Sequence, residues 1–335
     1  SAASKGETLK ESADAAENYS GEKAKVYFTK NIDVAHLIQL YQKVNGDITG
    51  KVAIKLHSGE PHGPNIIPPS MVQPFKEQIP NSTIIEANTA YGGARSTTSR
   101  HRDTLKTNGW TFSDIDIIDE DGDVNFPVNG GFHLKEVAMG AHLSNYDSLV
   151  VLTHFKGHVM GGFGGSNKNI GIGCADGRIG KAMIHTTPGQ ANQWDIANEE
   201  LMERMTESAK ATLDYFAPNI AFVNVLRNMS VSCDCEGVAA EPVVTPNIGI
   251  LASLDIAAID WASVDLVLSM PEGYRHALEE RMRTRHGFRQ LTYMTELGMG
   301  SSDYTLLDTD KGEDPSEYET ITPQEAVKHV VPFKR

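Results

Sequence analysis

In Leu149-Val150-Val151-Leu152-Thr153-His154-Phe155-Lys156-Gly157-His158-Val159-Met160-Gly161-Gly162-Phe163-Gly164-Gly165-Ser166-Asn167-Lys168-Asn169-Ile170-Gly171-Ile172-Gly173-Cys174, four apolar residues give way abruptly to a polar, flexible run. The apolar part has the length and branching of a buried strand. After it come two histidines, two lysines, seven glycines and a cysteine. No packed core asks for that composition. Glycine lets backbone N–H groups approach an anion closely. Lysine adds charge, and histidine adds proton transfer or metal ligation. In an open α/β sheet, ligands bind in loops that leave the carboxyl ends of strands. A ligand site is therefore expected here, with Gly161, Gly162, Gly164 and Gly165 offering backbone contacts and Asn169 beside them. A glycine-rich turn with solvated lysines would give a similar composition.

Two standard phosphate motifs are excluded. A Walker loop needs Gly-Lys-Ser/Thr, whereas Lys168 stands between Asn167 and Asn169. The dinucleotide fingerprint needs a third glycine where Asn167 or Asp176 stands.

Outward from this stretch, strands and helices alternate. Lys25–Thr29, Lys51–Leu56, Thr83–Ala87, Asp114–Ile118, Asp147–Leu152, Asn219–Leu226 and Ile248–Ala252 read as strands. Helical spacing runs from Asp33 to Val44, with Asp33 as N-cap, and again from Pro69 to Ile79. A further helix starts at Thr97 or Thr98 and ends before Gly109, and a long one covers Trp194 to Phe216. Asp255 to Leu268 is apolar nearly all round and predicts a buried helix holding Asp260 and Asp265. The alternation predicts an α/β fold, with a mixed or mostly parallel sheet flanked by helices and a ligand site at the strand-end loops. Residues 23–335 are expected to form one domain. Residues 1–22, rich in Ala, Ser, Glu and Lys, read as a flexible segment.

Three strand-end loops then carry polar groups: His57 and Glu60 in the first, Asn88 and Arg95 in the second, and His154 through Cys174 in the third. In a parallel sheet these loops share one edge, which predicts a single site. His57, Glu60, His154, His158 and Lys168 are its candidate catalytic groups, and Arg95 with the glycines its ligand contacts. His158, His185 and Cys174 are candidate ligands of a divalent metal, since imidazole and thiolate suit nickel, zinc or iron.

Bulk properties narrow the partners. The 335 residues are 40% hydrophobic and 22% charged, within the range of globular proteins. The net charge of −14 offers no basic stripe for nucleic acid and repels an anionic membrane surface. No apolar run reaches the length of a membrane span. Three cysteines are too few for a disulfide scaffold or a four-cysteine iron–sulfur site. Of the three, Cys174 is expected to be functional, with Cys233 and Cys235 as unrelated thiols. The expected partner is a small anionic ligand, with a homo-oligomer left open. A cytoplasmic chain and an exported or lipid-anchored one, its signal removed before Ser1, are both compatible with the first residues.

The quoted motifs resemble a known family. Lys55-Leu56-His57-Ser58-Gly59-Glu60-Pro61, Thr153 to His158, Gly162 to Gly165, Lys168-Asn169, Gly171 to Cys174, Cys233-Asp234-Cys235 and Asn247 to Ser253 together resemble domain of unknown function 362, over roughly Lys25 to Tyr304. Many relatives carry a ferredoxin-like module after the stretch matching Gly180 to His185. Thr186 to Glu200 stands in that place here and has no cysteine, so no iron–sulfur cluster is expected. His158 and Lys168, ten residues apart across a glycine-rich centre, are also similar to a motif of the nickel-pincer lactate racemases. That resemblance implies Lys168 as the carrier of a covalent nickel cofactor, His158 as a proton-transfer group and His185 as a metal ligand. The continuation from Asn169 to Cys174 departs from the racemase pattern.

Three functions fit these residues. One is an enzyme on a small carboxylate or phosphate, such as a metal-dependent isomerase or oxidoreductase with histidine acid/base groups. Another is a redox or cofactor-maturation accessory protein working through its thiols. The third is a non-catalytic anion-binding protein.

Overall fold

The computed structural model describes residues 23–190 and 192–334. The expected flexible segment 1–22 lies outside the described residues. In chain order the strands are β1 (Ala24–Thr29), β2 (Val52–Lys55), β3 (Ser82–Glu86), β4 (Ile115–Ile117), β5 (Asp123–Pro127), β6 (Glu136–Gly140), β7 (Ser148–His154), β8 (Lys156–His158), β9 (Gly162–Gly164), β10 (Ile220–Leu226), β11 (Gly249–Ser253), β12 (Tyr304–Asp308) and β13 (Glu319–Thr320). The helices are α1 (Val34–Tyr41), α2 (Pro69–Glu77), α3 (Thr98–Thr107), α4 (Ser166–Gly173), α5 (Gly180–His185), α6 (Asn198–Phe216), α7 (Ile256–Ser269), α8 (Glu272–Thr284), α9 (Arg289–Glu296) and α10 (Pro323–Ala326).

One nine-stranded sheet has the order β13-β12-β1-β11-β10-β7-β2-β3-β4. From β10 to β4 every neighbouring pair is parallel. β11 runs against both β1 and β10, and β13 runs against β12. The fold is thus α/β with a mixed, mostly parallel sheet. Alternate residues of each strand face opposite layers, as the strand period of two requires. In β7, Leu149 and Val151 join the core under α6, α7 and α9, while Val150 and Leu152 join the core under α1, α2 and α3. Both faces are covered, which is why β7 reads as an unbroken apolar run.

Helix starts follow the predicted caps. Asp33, Thr97 and Asp255 each accept the backbone N–H three residues on. Unforeseen are two short hairpins, β5–β6 and β8–β9, the strands β12 and β13, and the helices α5, α8, α9 and α10.

The expected loop from Thr153 to Cys174 is corrected. β7 runs on to His154, the hairpin β8–β9 follows, and Ser166–Gly173 is helix α4. Its first turn is fixed by Asp260 of α7, whose two carboxylate oxygens accept the N–H groups of Ser166 and Asn167, both at 2.9 Å. Asn224 also donates to Asp260 at 3.0 Å. The polar group that completes α4 comes from a residue about ninety positions away, so local sequence does not announce it.

Candidate functional site

From β2 the chain moves outward through β3 and β4, then returns to place β7 on the other side of β2. The sheet therefore has a switch point between β2 and β7, where loops diverge and leave a crevice. A cavity of about 200 Å³ opens there. β2 and its loop deliver Lys55 and His57, the loop after β3 delivers Tyr91 and Arg95, and the hairpin after β7 delivers Lys156 and His158. α4 adds Lys168 and Asn169, α5 adds Lys181 and His185, and the loop after β10 adds Cys235.

The cavity is cationic although the chain is acidic. Lys55, Arg95, Lys156, Lys168 and Lys181 line it, and among the described residues Glu86 is the single carboxylate that does so. Four of these cations are already engaged. Lys55 lies 3.2 Å from Glu86 and donates to Leu56 O at 2.7 Å and Asn169 Oδ1 at 3.1 Å. Arg95 bridges Glu60 at 2.9 Å and Glu86 at 3.3 Å. Lys156 lies 3.5 Å from Asp234, and Lys181 donates to Asn88 O. Burial pushes the Glu86 carboxyl up, but Lys55 and Arg95 outweigh that and hold it well below the usual range. Burial lowers the Lys181 ammonium to about 8. Lys168 alone of the five has no hydrogen-bond or ion-pair partner among the described residues.

Three imidazoles face the cavity in two different states. His57 Nδ1 accepts the Gly59 N–H at 3.0 Å. His158 Nδ1 accepts the N–H groups of Met160 and Gly161 at 3.1 and 2.9 Å. A neutral ring with Nδ1 so occupied carries its proton on Nε2. His185 is the reverse: its Nδ1–H donates to Lys181 O at 2.8 Å, leaving the Nε2 lone pair unused. Burial holds His158 and His185 at about 4, and Lys168 pushes in the same direction. Both rings are therefore neutral at physiological pH. His154, in contrast, does not line the cavity. Its ring is pinned by Asp234 and Arg227 O, both at 2.7 Å, so it orients Asp234 and is not free to exchange protons with a ligand.

The thiols rearrange the expectation. Cys174 is fully buried in the larger core, with its thiol pushed up to about 11 by burial. It packs as a small apolar side chain. Cys233 and Cys235, expected to be unrelated, are the pair at the site. With His158 they bring ligand atoms within 4.8 Å of one another. Cys235 Sγ lies 4.0 Å from His158 Nε2, and Cys233 Sγ lies 3.9 Å from His57 Nε2. Burial raises the Cys233 thiol, but the Cys235 hydrogen bond, Lys168 and His158 outweigh it and hold Cys233 well below its ordinary value. Cys235 keeps the proton, raised chiefly by its bond to Cys233. These distances would suit a soft metal. The His158 ring does not, since a metal needs a lone pair on Nε2, where the backbone contacts put a proton. His158, His185 and Cys174 likewise form no common ligand set.

The glycines divide between packing and the cavity wall. Gly157 is pressed against Val231, where an added Cβ would lie 2.4 Å from the Val231 carbonyl oxygen. Gly162 has φ +79° and packs on Gly287, 2.9 Å from an added Cβ. Gly165 faces Asp260 at 2.5 Å. Gly161, its N–H held by His158, Gly164 and Gly165 line the cavity, whereas Gly162 does not. Close packing accounts for Gly157, Gly162 and Gly165, and the α4 N-terminus is occupied by Asp260. Asn169 is spent on Lys55 O, Leu152 O and Thr153 Oγ1. Glu60 accepts from Tyr91 and Arg95 and does not line the cavity.

Sequence reasoning passed over Lys55, Glu86, Lys181 and Asp234. Lys55 and Glu86 did leave a signal: each is a charge within an apolar strand, at the carboxyl end. A second grouping, Asp116, Glu120 and His142, lies outside the cavity, with the His142 ring satisfied by Asp116 and Asp121.

The family described as domain of unknown function (DUF362) matches residues 52–265. No curated protein matches the chain. Among solved structures, the lactate racemase apoprotein from Thermoanaerobacterium thermosaccharolyticum aligns at 13% identity and a TM-score of 0.39, over 75% of this chain and 59% of that one. A Thermotoga maritima protein aligns at 8% identity and a TM-score of 0.38, over 76% of this chain and 58% of that one. The chain thus spans under two thirds of either structure.

Proposed function

The chain belongs to the family of domain of unknown function 362, and from that premise we propose that it is an enzyme acting on a small carboxylate or phosphate held by Lys168. The carrying observation is the solitary state of Lys168. The other four cations of the cavity are hydrogen-bonded to carboxylates or carbonyls, whereas Lys168 acts on the Cys233 sulfur only through space, so its hydrogen bonds are left for an incoming anion. Lys181, bound only to a carbonyl, strengthens the same field.

Chemistry then falls to the imidazoles. His185 Nε2 presents a lone pair to the cavity and is the proton acceptor of this reading. His57 and His158 carry their N–H groups on Nε2, each facing a cysteine sulfur, so they take no proton in this reading. The donor set of His158, His185 and Cys174 does not support a shared metal, and no step is assigned to one.

The test compares Lys168→Ala and Lys168→Arg with the wild type, using inorganic phosphate and lactate as probes in calorimetric titration. An anion clamp predicts loss of binding by at least about tenfold in the alanine variant, since a charge-assisted bond contributes about 1.5–3 kcal/mol. Arginine should restore part of it. Unchanged binding in Lys168→Ala would remove the assignment. A mass increment on the wild-type Lys168 peptide, with no rescue by arginine, would replace the clamp with a tethered cofactor.

A further inference from the structure

Cys233 and Cys235 open the 3₁₀ turn Asp234–Ala239 in the loop after β10, and the turn holds both sulfurs on one side. Around Cys233 Sγ the donors converge. The Cys235 N–H points at it from 3.3 Å, His57 Nε2 lies 3.9 Å away, and Lys168 adds charge. Cys235 Sγ sits on the cavity wall, with His158 Nε2 at 4.0 Å. A single nucleophile would need only one sulfur. Two sulfurs of one turn, within reach of each other and one of them on a cavity wall, are the arrangement of a two-electron exchange.

We propose that Cys233 and Cys235 form a dithiol that undergoes thiol–disulfide exchange with small anionic disulfides entering the cation-lined cavity. The Cys235 sulfur attacks one sulfur of the incoming R–S–S–R while its proton passes to Cys233. The S–S bond of the incoming disulfide breaks, Cys235 is left as the mixed disulfide, and one RS⁻ leaves. Cys233 then attacks Cys235, displacing the second R–S group, which takes the proton and leaves as RSH. The dithiol has lost two electrons to the incoming disulfide, and a Cys233–Cys235 disulfide remains. The preference for an anionic disulfide rests on the anion-binding reading of the cavity, whereas the exchange itself does not.

The test uses the full reduced chain with anionic dithiobis(nitrobenzoate) and neutral dithiodipyridine. The wild type should release both halves of either reagent per chain and end without a mixed adduct. Cys233→Ser should release one half and keep the other on Cys235. Cys235→Ser should react at least about tenfold more slowly, since buried thiols are inert, and Cys174 lies in the core. Circular dichroism of Cys233→Ala beside Cys233→Ser checks that the fold persists. A stable mixed adduct on the wild type, or full reactivity of Cys235→Ser, overturns the proposal. Lys168→Ala should slow the anionic reagent at least about threefold relative to the neutral one. An unchanged ratio would overturn the anionic preference and count against the cavity reading, while release of both halves would still support the dithiol.

Discussion

Lys181 shows how the setting of one side chain governs the site. Its ammonium sits deep in the fold with a carbonyl partner, and burial lowers it to about 8. A lysine is charged below its pKa and neutral above it. The cavity therefore loses one positive charge as pH rises through about 8. With sulfate as the probe, whose own charge is constant there, affinity should weaken across pH 7 to 9 by a few-fold, in line with the loss of one charge in a shared cavity. Lys181→Met should remove that step and bind at the weaker level throughout. Isothermal titration at several pH values checks both. His185 makes the same point with the opposite outcome: it is already neutral, and its tautomer is set by the Lys181 carbonyl one helical turn away.

At the level of elements, the junction between β9 and α4 decides where Lys168 points. Asp260 ties the first turn of α4 to α7, and Gly165 leaves room for that carboxylate. An alanine at Gly165 would put its Cβ 2.5 Å from Asp260 Oδ1. Asp260 is held by three donors and cannot yield. Gly165→Ala should thus destabilise by about 1–3 kcal/mol, the usual range for overpacking. Gly164→Ala would meet only the flexible stems of Lys156 and Lys168, at 3.4 and 3.5 Å, and should cost less. Thermal denaturation of the two variants side by side tests the ordering. Equal losses would mean that the glycines serve flexibility more than packing.

For the whole molecule, the Glu86 carboxylate at the end of β3 joins two loops and a strand. It accepts from the Ser58 N–H at 2.9 Å and the Ser58 hydroxyl at 2.6 Å, and it pairs with Lys55 and Arg95. Removing its charge leaves two buried cations poorly compensated. Glu86→Gln should lower stability by about 3–5 kcal/mol, the cost of breaking a buried pair. Urea unfolding measures this, and a loss under 1 kcal/mol would mean that Arg95 finds enough charge in Glu60 alone.

The sequence by itself determined seven of the nine strands of the main sheet, the capped starts of α1, α3 and α7, and the edge of the sheet that holds the site. Those features rest on period, capping residues and apolar runs, all local in the chain. His57, His158 and Lys168 were legible because histidine, lysine and glycine crowd into strand-end loops where packing does not call for them. Only the tertiary structure decided which of those groups are spent. His154 and Glu60 look as chemical as His158, but Asp234 and Arg95 occupy them from distant loops. Cys174 sits in the conspicuous motif and is core, while the inconspicuous pair Cys233 and Cys235 meets His57 and His158 across the switch point. Protonation follows the same division. His158 and His185 differ because one ring accepts backbone N–H groups and the other donates to a carbonyl. That distinction depends on the folded backbone around each ring, and composition and spacing do not encode it directly.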